Sequence, residues 1–229
     1  MAGKGPFIQR FVRRVFYKYY ARNLMFELQM RARADSADYA EAHMAEAIMF
    51  ESSEAFLRHC LSRAPAGAIL EFGVADGRTV TILGEAAPGR PVHGFDSFEG
   101  LPEDWAGHNL LRGAFSRKGE LPKVPANVTL HKGWFKDTIG VWKEGHSDMA
   151  GFIHVDCDIY SSARDVLFGL RDRMQAGTII VFDEYFNYPN WRLHEARALK
   201  EFVAEFGVKY RYCALTANEG AVAIELLSV

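Results

Sequence analysis

Beyond Pro65, short apolar runs recur along the chain with helix-like segments between several of them. They are AILEFGV (68–74), VHGFD (92–96), NVTLHKG (127–133), GFIHVD (151–156) and TIIVFDE (178–184). No other feature restricts the fold as tightly. The runs are nearly continuous in apolar residues, the pattern of strands covered on both faces. Strands joined through helical segments such as SARDVLFGLRDRM need crossover connections, so an α/β fold with a mostly parallel sheet is expected. The end differs. VKYRYCALT and AVAIELL are separated only by ANEG, which predicts an antiparallel hairpin. Residues 65–229 are read as one domain, with residues 1–64 as an N-terminal helical extension.

A net charge of −2 argues against a nucleic-acid partner. No apolar run reaches the roughly 20 residues of a membrane-spanning helix, and MAGKGPFIQRFVRR lacks the apolar stretch of a signal peptide. Cys60, Cys157 and Cys213 form neither a disulfide framework nor a zinc spacing, so a reducing, cytoplasmic setting is expected.

The extension is basic. Lys4, Arg10, Arg13, Arg14, Lys18, Arg22, Arg31 and Arg33 stand against a single acid, Glu27. Ile8, Phe11, Val12, Val15, Phe16 and Tyr19 recur at helical spacing, with Arg10, Arg13, Arg14 and Lys18 opposite. A basic amphipathic helix is expected over residues 7–22. Three roles stay open for it: packing on its own core or on a partner subunit in a homodimer, docking on an acidic membrane or partner, and a lid. Residues 36–63 are expected to continue as helix, with Ser36 as its cap.

Two stretches carry chemistry. In the first, Glu71-Phe72-Gly73-Val74-Ala75-Asp76-Gly77-Arg78-Thr79, a glycine turn leads from a strand into a helix. Glycine admits close backbone approach, and a helix N-terminus offers free N–H groups. The glycines are four apart, so the dinucleotide fingerprint is not met. Asp96 follows at the next strand end, roughly 20 residues on, where an acid can accept ribose hydroxyls. Ser97 is its neighbour. Gly133, Trp134 and Phe135 end the third strand, and their flat apolar surface suits an adenine ring.

In the second stretch, acids sit at the tips of two further strands: Asp156, then Asp183 and Glu184. Neighbouring strands lie ~4.8 Å apart, so the acids crowd one volume, and a hard divalent cation such as Mg2+ relieves their repulsion. Asp158 lies past its strand and reads as a helix-entry residue rather than a ligand. His154 reads as a core histidine, and His194 as a base lining the substrate pocket or a surface helix residue.

A parallel sheet closed by a hairpin is the arrangement of many methyltransferases. Together EFGVADGRT, FDSFEGLP, KGWFKDT, HVDCDIYSS and VFDEY resemble the macrocin O-methyltransferase-like family, the TylF/MycF group, over residues 67 to 185. The resemblance implies a Rossmann-like class I fold, S-adenosylmethionine, and Mg2+-dependent methylation of a sugar hydroxyl on a natural product, and the expected acceptor is a sugar or another vicinal-diol or catechol-like small molecule. It implies Asp156, Asp183 and Glu184 as metal ligands, Asp96 as the ribose acid, and Glu71, Gly73, Asp76, Gly77 and Arg78 in the cofactor turn. Asp156 and His194 are the candidates for catalysis. The family usually carries Asp-Asp where this chain has Asp183-Glu184. The rival readings are a metal-independent methyltransferase, a silent binding module docking through its basic helix, and a nicotinamide oxidoreductase.

Overall fold

A computed structural model describes residues 5–229. The N-terminal segment forms helices α1 (Gly5–Phe16) and α2 (Leu24–His43), joined by a π-helical turn at Tyr17–Ala21. Asn23 caps α2, its Oδ1 accepting from the Phe26 N–H at 3.2 Å. From there the elements run β1 (Ile48–Phe50), α3 (Ser53–Arg63), β2 (Ala68–Phe72), α4 (Arg78–Ala86), β3 (Val92–Asp96) and β4 (Val128–Lys132). They continue with α5 (Phe135–Gly145), β5 (Ala150–Val155), α6 (Tyr160–Gly169), β6 (Ile179–Phe182), α7 (Glu195–Phe206), β7 (Lys209–Thr216) and β8 (Val222–Ser228).

All eight strands join one sheet in the order β1-β7-β8-β6-β5-β2-β3-β4. β8 runs antiparallel to both β6 and β7, and every other pairing is parallel. The expected α/β architecture and its terminal hairpin are therefore present. β2 and β5 are buried at every position. Their side chains alternate between two apolar layers: Ala68, Leu70 and Phe72 pack on one face of the sheet, Ile69 on the other. Both faces being covered explains the continuous apolar runs.

Two expectations for the extension fail. The helix foreseen over 36–63 is broken by β1, whose Ile48, Met49 and Phe50 pair with Ala214, Leu215 and Thr216 at the sheet edge. Helical propensity in DYAEAHMAEAIMF yields there to a free strand edge. Ser36 is no cap. It is buried inside α2, and its Oγ accepts from the Asn187 N–H at 2.8 Å. Ser52 caps α3 instead, accepting from the Ala55 N–H at 3.3 Å. The amphipathic α1 is present, but residues 7–14 and 16 are exposed and Val15 half-buried, so it is not packed into the protein's own core.

Between β3 and β4 runs a long segment, residues 97–127, with neither helix nor strand. Loops of this length in a compact domain are usually functional. It is tied down at several points. The Ser161 hydroxyl donates to Glu103 at 2.7 Å, and Leu101 and Trp105 pack on Ile159.

On the other flank of β3, His93 and His131 are 3.1 Å apart and His146 packs on the same ring. Burial, then the neighbouring imidazoles, push His93 down to about 4.

Candidate active site

The parallel strands deliver their C-terminal ends to one crevice, where open α/β sheets bind ligands. A cavity of about 510 Å³ opens there, a size typical of small-molecule sites. Its walls come from the ends of β2, β3 and β5, the starts of α5 and α6, the turn after β6 and the 97–127 loop.

The glycine turn forms one wall. Gly73 and Ala75 line the cavity, whereas Asp76, Gly77 and Arg78 do not. Asp76 accepts from the Arg78 N–H at 3.2 Å, and Gly77, at φ 86°, caps α4. Gly73 has φ +99°, and a Cβ there would meet the Asp156 carbonyl oxygen at 1.5 Å. The close approach it permits is between the chain leaving β2 and the chain leaving β5.

Asp96 holds the turn in place. Its Oδ2 accepts from the N–H groups of Val74 (2.9 Å) and Ala75 (2.8 Å), and its Oδ1 from Phe98 at 2.6 Å. A carboxylate has about four acceptor sites, so three are used and one remains. Asp96 and Ser97 both line the cavity, as do Trp134 and Phe135. Gly133 bonds the Asp96 carbonyl through its N–H at 2.9 Å and stands behind the wall.

Glu71 is fully buried and absent from the cavity. Its carboxylate accepts from the Thr79 hydroxyl and from His154 Nδ1, both at 3.0 Å. The other ring nitrogen of His154 lies 3.6 Å from Asp183. Burial opposes a charged imidazolium, but Asp183 and Glu71 outweigh it and hold His154 well above its ordinary value.

The acids at the strand tips divide in two. His154, Asp156 and Asp183 form one group, and Asp156, Asp158 and Glu184 another, each with ligand atoms within 4.8 Å of one another. Asp183 shares the face of Val181 and so meets His154, while Glu184 turns toward the cavity. Asp156, Asp158 and Glu184 line that cavity and Asp183 does not. The expected trio of Asp156, Asp183 and Glu184 is therefore not one cluster. Asp158 does stand at the entry of α6, but at φ +66° its carboxylate joins Asp156 and Glu184.

His194 is corrected too. It is 4% exposed, bonded through Nε2 to the Ala106 carbonyl at 2.9 Å, and absent from the cavity wall. It fastens the 97–127 loop to the start of α7. The residue after it was missed. Glu195 is 0% exposed, and neither of its carboxylate oxygens has a hydrogen-bond partner. Burial, then the charges of Asp158 and Asp183, push it well above the carboxylate range. In the sequence it is a routine acid in a first helical turn, and only the fold brings it beside the cluster. Arg112, Phe115 and Lys136 in the wall carried no sequence signal either.

Asp158 titrates at about 7 instead of 3.8, through burial and then the charge of Asp183. A raised folded pKa gives stability that is present below about 3.8 and lost as the pH rises through about 7. In chelator, Asp158→Asn is therefore expected to be more stable than wild type above neutrality, by on the order of 1–3 kcal/mol. The gap closes toward acid pH. Urea melts at several pH values measure it, and a gap independent of pH contradicts the assignment.

A mostly parallel sheet ended by an antiparallel hairpin, with a glycine turn and an acid at successive strand tips, defines a Rossmann-like class I methyltransferase fold. The family comparison places the chain within that class: a methyltransferase-domain model matches residues 70–185, more than half of the chain, and the protein belongs to that family. Over 110 residues it is 32% identical to the 8-demethyl-8-(2,3-dimethoxy-α-L-rhamnosyl)-tetracenomycin-C 4′-O-methyltransferase of Streptomyces olivaceus. That match covers 39% of this chain and 40% of the relative's length. A calicheamicin methyltransferase shares the fold with TM-score 0.61 at 22% identity, over 76% of this chain and 77% of that one. The O-methyltransferase NovP does so with TM-score 0.57 at 22% identity, over 76% and 79%.

Proposed function

We propose that this protein is an S-adenosylmethionine-dependent O-methyltransferase acting on a hydroxyl of a small molecule, a natural-product sugar or another vicinal diol, with help from a divalent cation. The observation that carries the reading is the juxtaposition of Asp156, Asp158 and Glu184 on the wall of the cavity that the glycine turn also lines. The tetracenomycin enzyme, by its name, methylates a sugar 4′-hydroxyl, which supports the acceptor class. Membership of the macrocin-type group itself rests on the motifs, DSFEGLP and D-x-D-x-Y-x-S above all.

The residues suit both groups. Glu184 Oε2 is buried without a partner, and so are both Glu195 oxygens. Acids so placed are costly unless protonated or neutralised by a cation. An all-oxygen donor set matches Mg2+ or a similar hard ion. Asp156, Asp158 and Glu184 would hold it, and behind them Glu71 holds His154, with Asp183 3.6 Å from its other ring nitrogen. Bound there, a cation supplies positive charge that favours the ionised form of an acceptor hydroxyl. S-adenosylmethionine, when bound, supplies an electrophilic methyl group. The backbone at Gly73 and Ala75 lets it approach, Asp96 has one acceptor site left for a ribose hydroxyl, and Trp134 and Phe135 offer the adenine a flat wall. Asp156 and Asp158 line the cavity together with Asp96, Asp165 and Glu184, and an oxygen of Asp156 or Asp158 not engaged by the cation can take the acceptor's proton. His194 is not used, since Ala106 occupies its Nε2 and the cavity does not reach it.

Thermal melts with S-adenosylhomocysteine and with NADH test the cofactor assignment. At about 100 times its Kd a ligand adds about 2.7 kcal/mol of stability, so the first is expected to raise Tm by several degrees and the second not at all. Transfer of labelled methyl to a panel of rhamnosides and catechols, with Mg2+ or with chelator, tests the rest. Full activity in chelator would leave the metal-independent reading standing.

A further inference from the structure

Helix α1 has no role in the chemistry above. Phe7, Ile8, Phe11, Val12 and Phe16 fall with Val15 within about 180° of its circumference, and Arg10, Arg13 and Arg14 occupy the rest with Gln9. The apolar side is uncovered: Phe7 is 78% exposed and Phe11 61%. More than half of the large apolar side chains exposed among the described residues lie in residues 7–28, so this is a concentrated patch and not scatter. Tyr17, Tyr19 and Tyr20 continue it, each more than half exposed. Such rings combine an apolar body with a polar tip and suit a membrane's headgroup layer.

We infer that α1 and the following π-helical turn dock this protein on the surface of an anionic phospholipid bilayer. Charge decides the occupant. Residues 5–22 carry five cations and no acid, whereas the rest of the chain has more acids than bases. A second α1 would cover the apolar side alone and leave Arg10, Arg13 and Arg14 on the outer side without counter-charge. A bilayer with anionic headgroups matches both sides of the helix at once: acyl chains take Phe7, Ile8, Phe11, Val12 and Phe16, and phosphates take the arginines. The helix lies in the interface. No helix among the described residues is long and apolar enough to cross a membrane.

The test is co-sedimentation of the full chain with vesicles of phosphatidylcholine alone, or of phosphatidylcholine mixed with phosphatidylglycerol. Wild type is expected to pellet with the mixed vesicles, to stay in solution with the neutral ones, and to be released by high salt. R13E/R14E and Phe11→Ser are each expected to weaken binding by about tenfold or more. Because α1 is exposed, both variants should melt at the wild-type temperature. The inference is overturned if wild type ignores anionic vesicles, if it binds neutral ones equally, or if both variants bind as wild type does. Sedimentation velocity supplies a further arm. A wild-type dimer that both variants convert to monomer gives the apolar side to a second copy and also overturns it.

Discussion

Asp156→Asn is expected to reduce methyl transfer by on the order of 100-fold or more, while S-adenosylhomocysteine still raises Tm as it does for wild type. The substitution keeps shape and volume but removes a charge. Asp156 is common to both acid groups and lines the cavity, so no neighbour replaces it without the strand ends moving. The cofactor turn is held by Asp96, through Val74 and Ala75, and does not depend on that charge. Burial and the nearby Asp183 already push Asp156 well above the carboxylate range, so a neutral amide relieves repulsion in the metal-free protein. The variant should therefore be no less stable than wild type. Turnover within a few-fold of wild type would remove Asp156 from the chemistry. A parallel loss of S-adenosylhomocysteine binding would make it a cofactor residue instead. Titrating Mg2+ into both proteins separates charge from shape, because only wild type should respond.

The fold was largely legible because strands buried on both faces leave an unmistakable apolar signature, and ANEG leaves room only for a hairpin. The edge strand β1 was not. Ile48–Phe50 makes only three pairings and sits among good helix formers, so local sequence gave it no separate identity. The cavity wall was legible where a strand tip itself lines it, as at Asp96, Asp156 and Glu184. It failed where the chain turns. The period of two that puts Asp156 on one face says nothing about Asp158, which reaches the cluster only through a left-handed backbone at φ +66°. The same period did contain the answer for Asp183, since it shares parity with Val181 and hence the face of His154. Glu195 and the 97–127 loop depend on contacts distant in sequence, such as the bond from His194 to Ala106. Nothing local encodes those.

Gly73→Ala is expected to be the most damaging single-methyl change in this part of the chain. Glycine turns in such folds are commonly credited to the ligand, and the cavity does reach Gly73. The structure adds a stronger constraint. The new methyl would stand 1.5 Å from the Asp156 carbonyl oxygen and 2.6 Å from its carbon. Both belong to backbone that follows a fully buried strand, and the Asp156 N–H is itself bonded to the Phe72 carbonyl at 2.8 Å. Neither strand can yield without breaking that bond. The conformation at φ +99° adds about 1–3 kcal/mol of strain for any L side chain. A loss of about 4 kcal/mol or more follows, lowering Tm by roughly 10 °C or preventing soluble expression. Gly140→Ala in α5 is the control. Nothing lies within 4 Å of its added methyl, and alanine favours a helix by up to about 1 kcal/mol, so Tm should hold or rise. If Gly73→Ala melts like wild type and loses only cofactor affinity, the glycine serves the ligand alone. If it melts far lower, its first duty is to let β2 pass the end of β5, and the position of Asp156 depends on it.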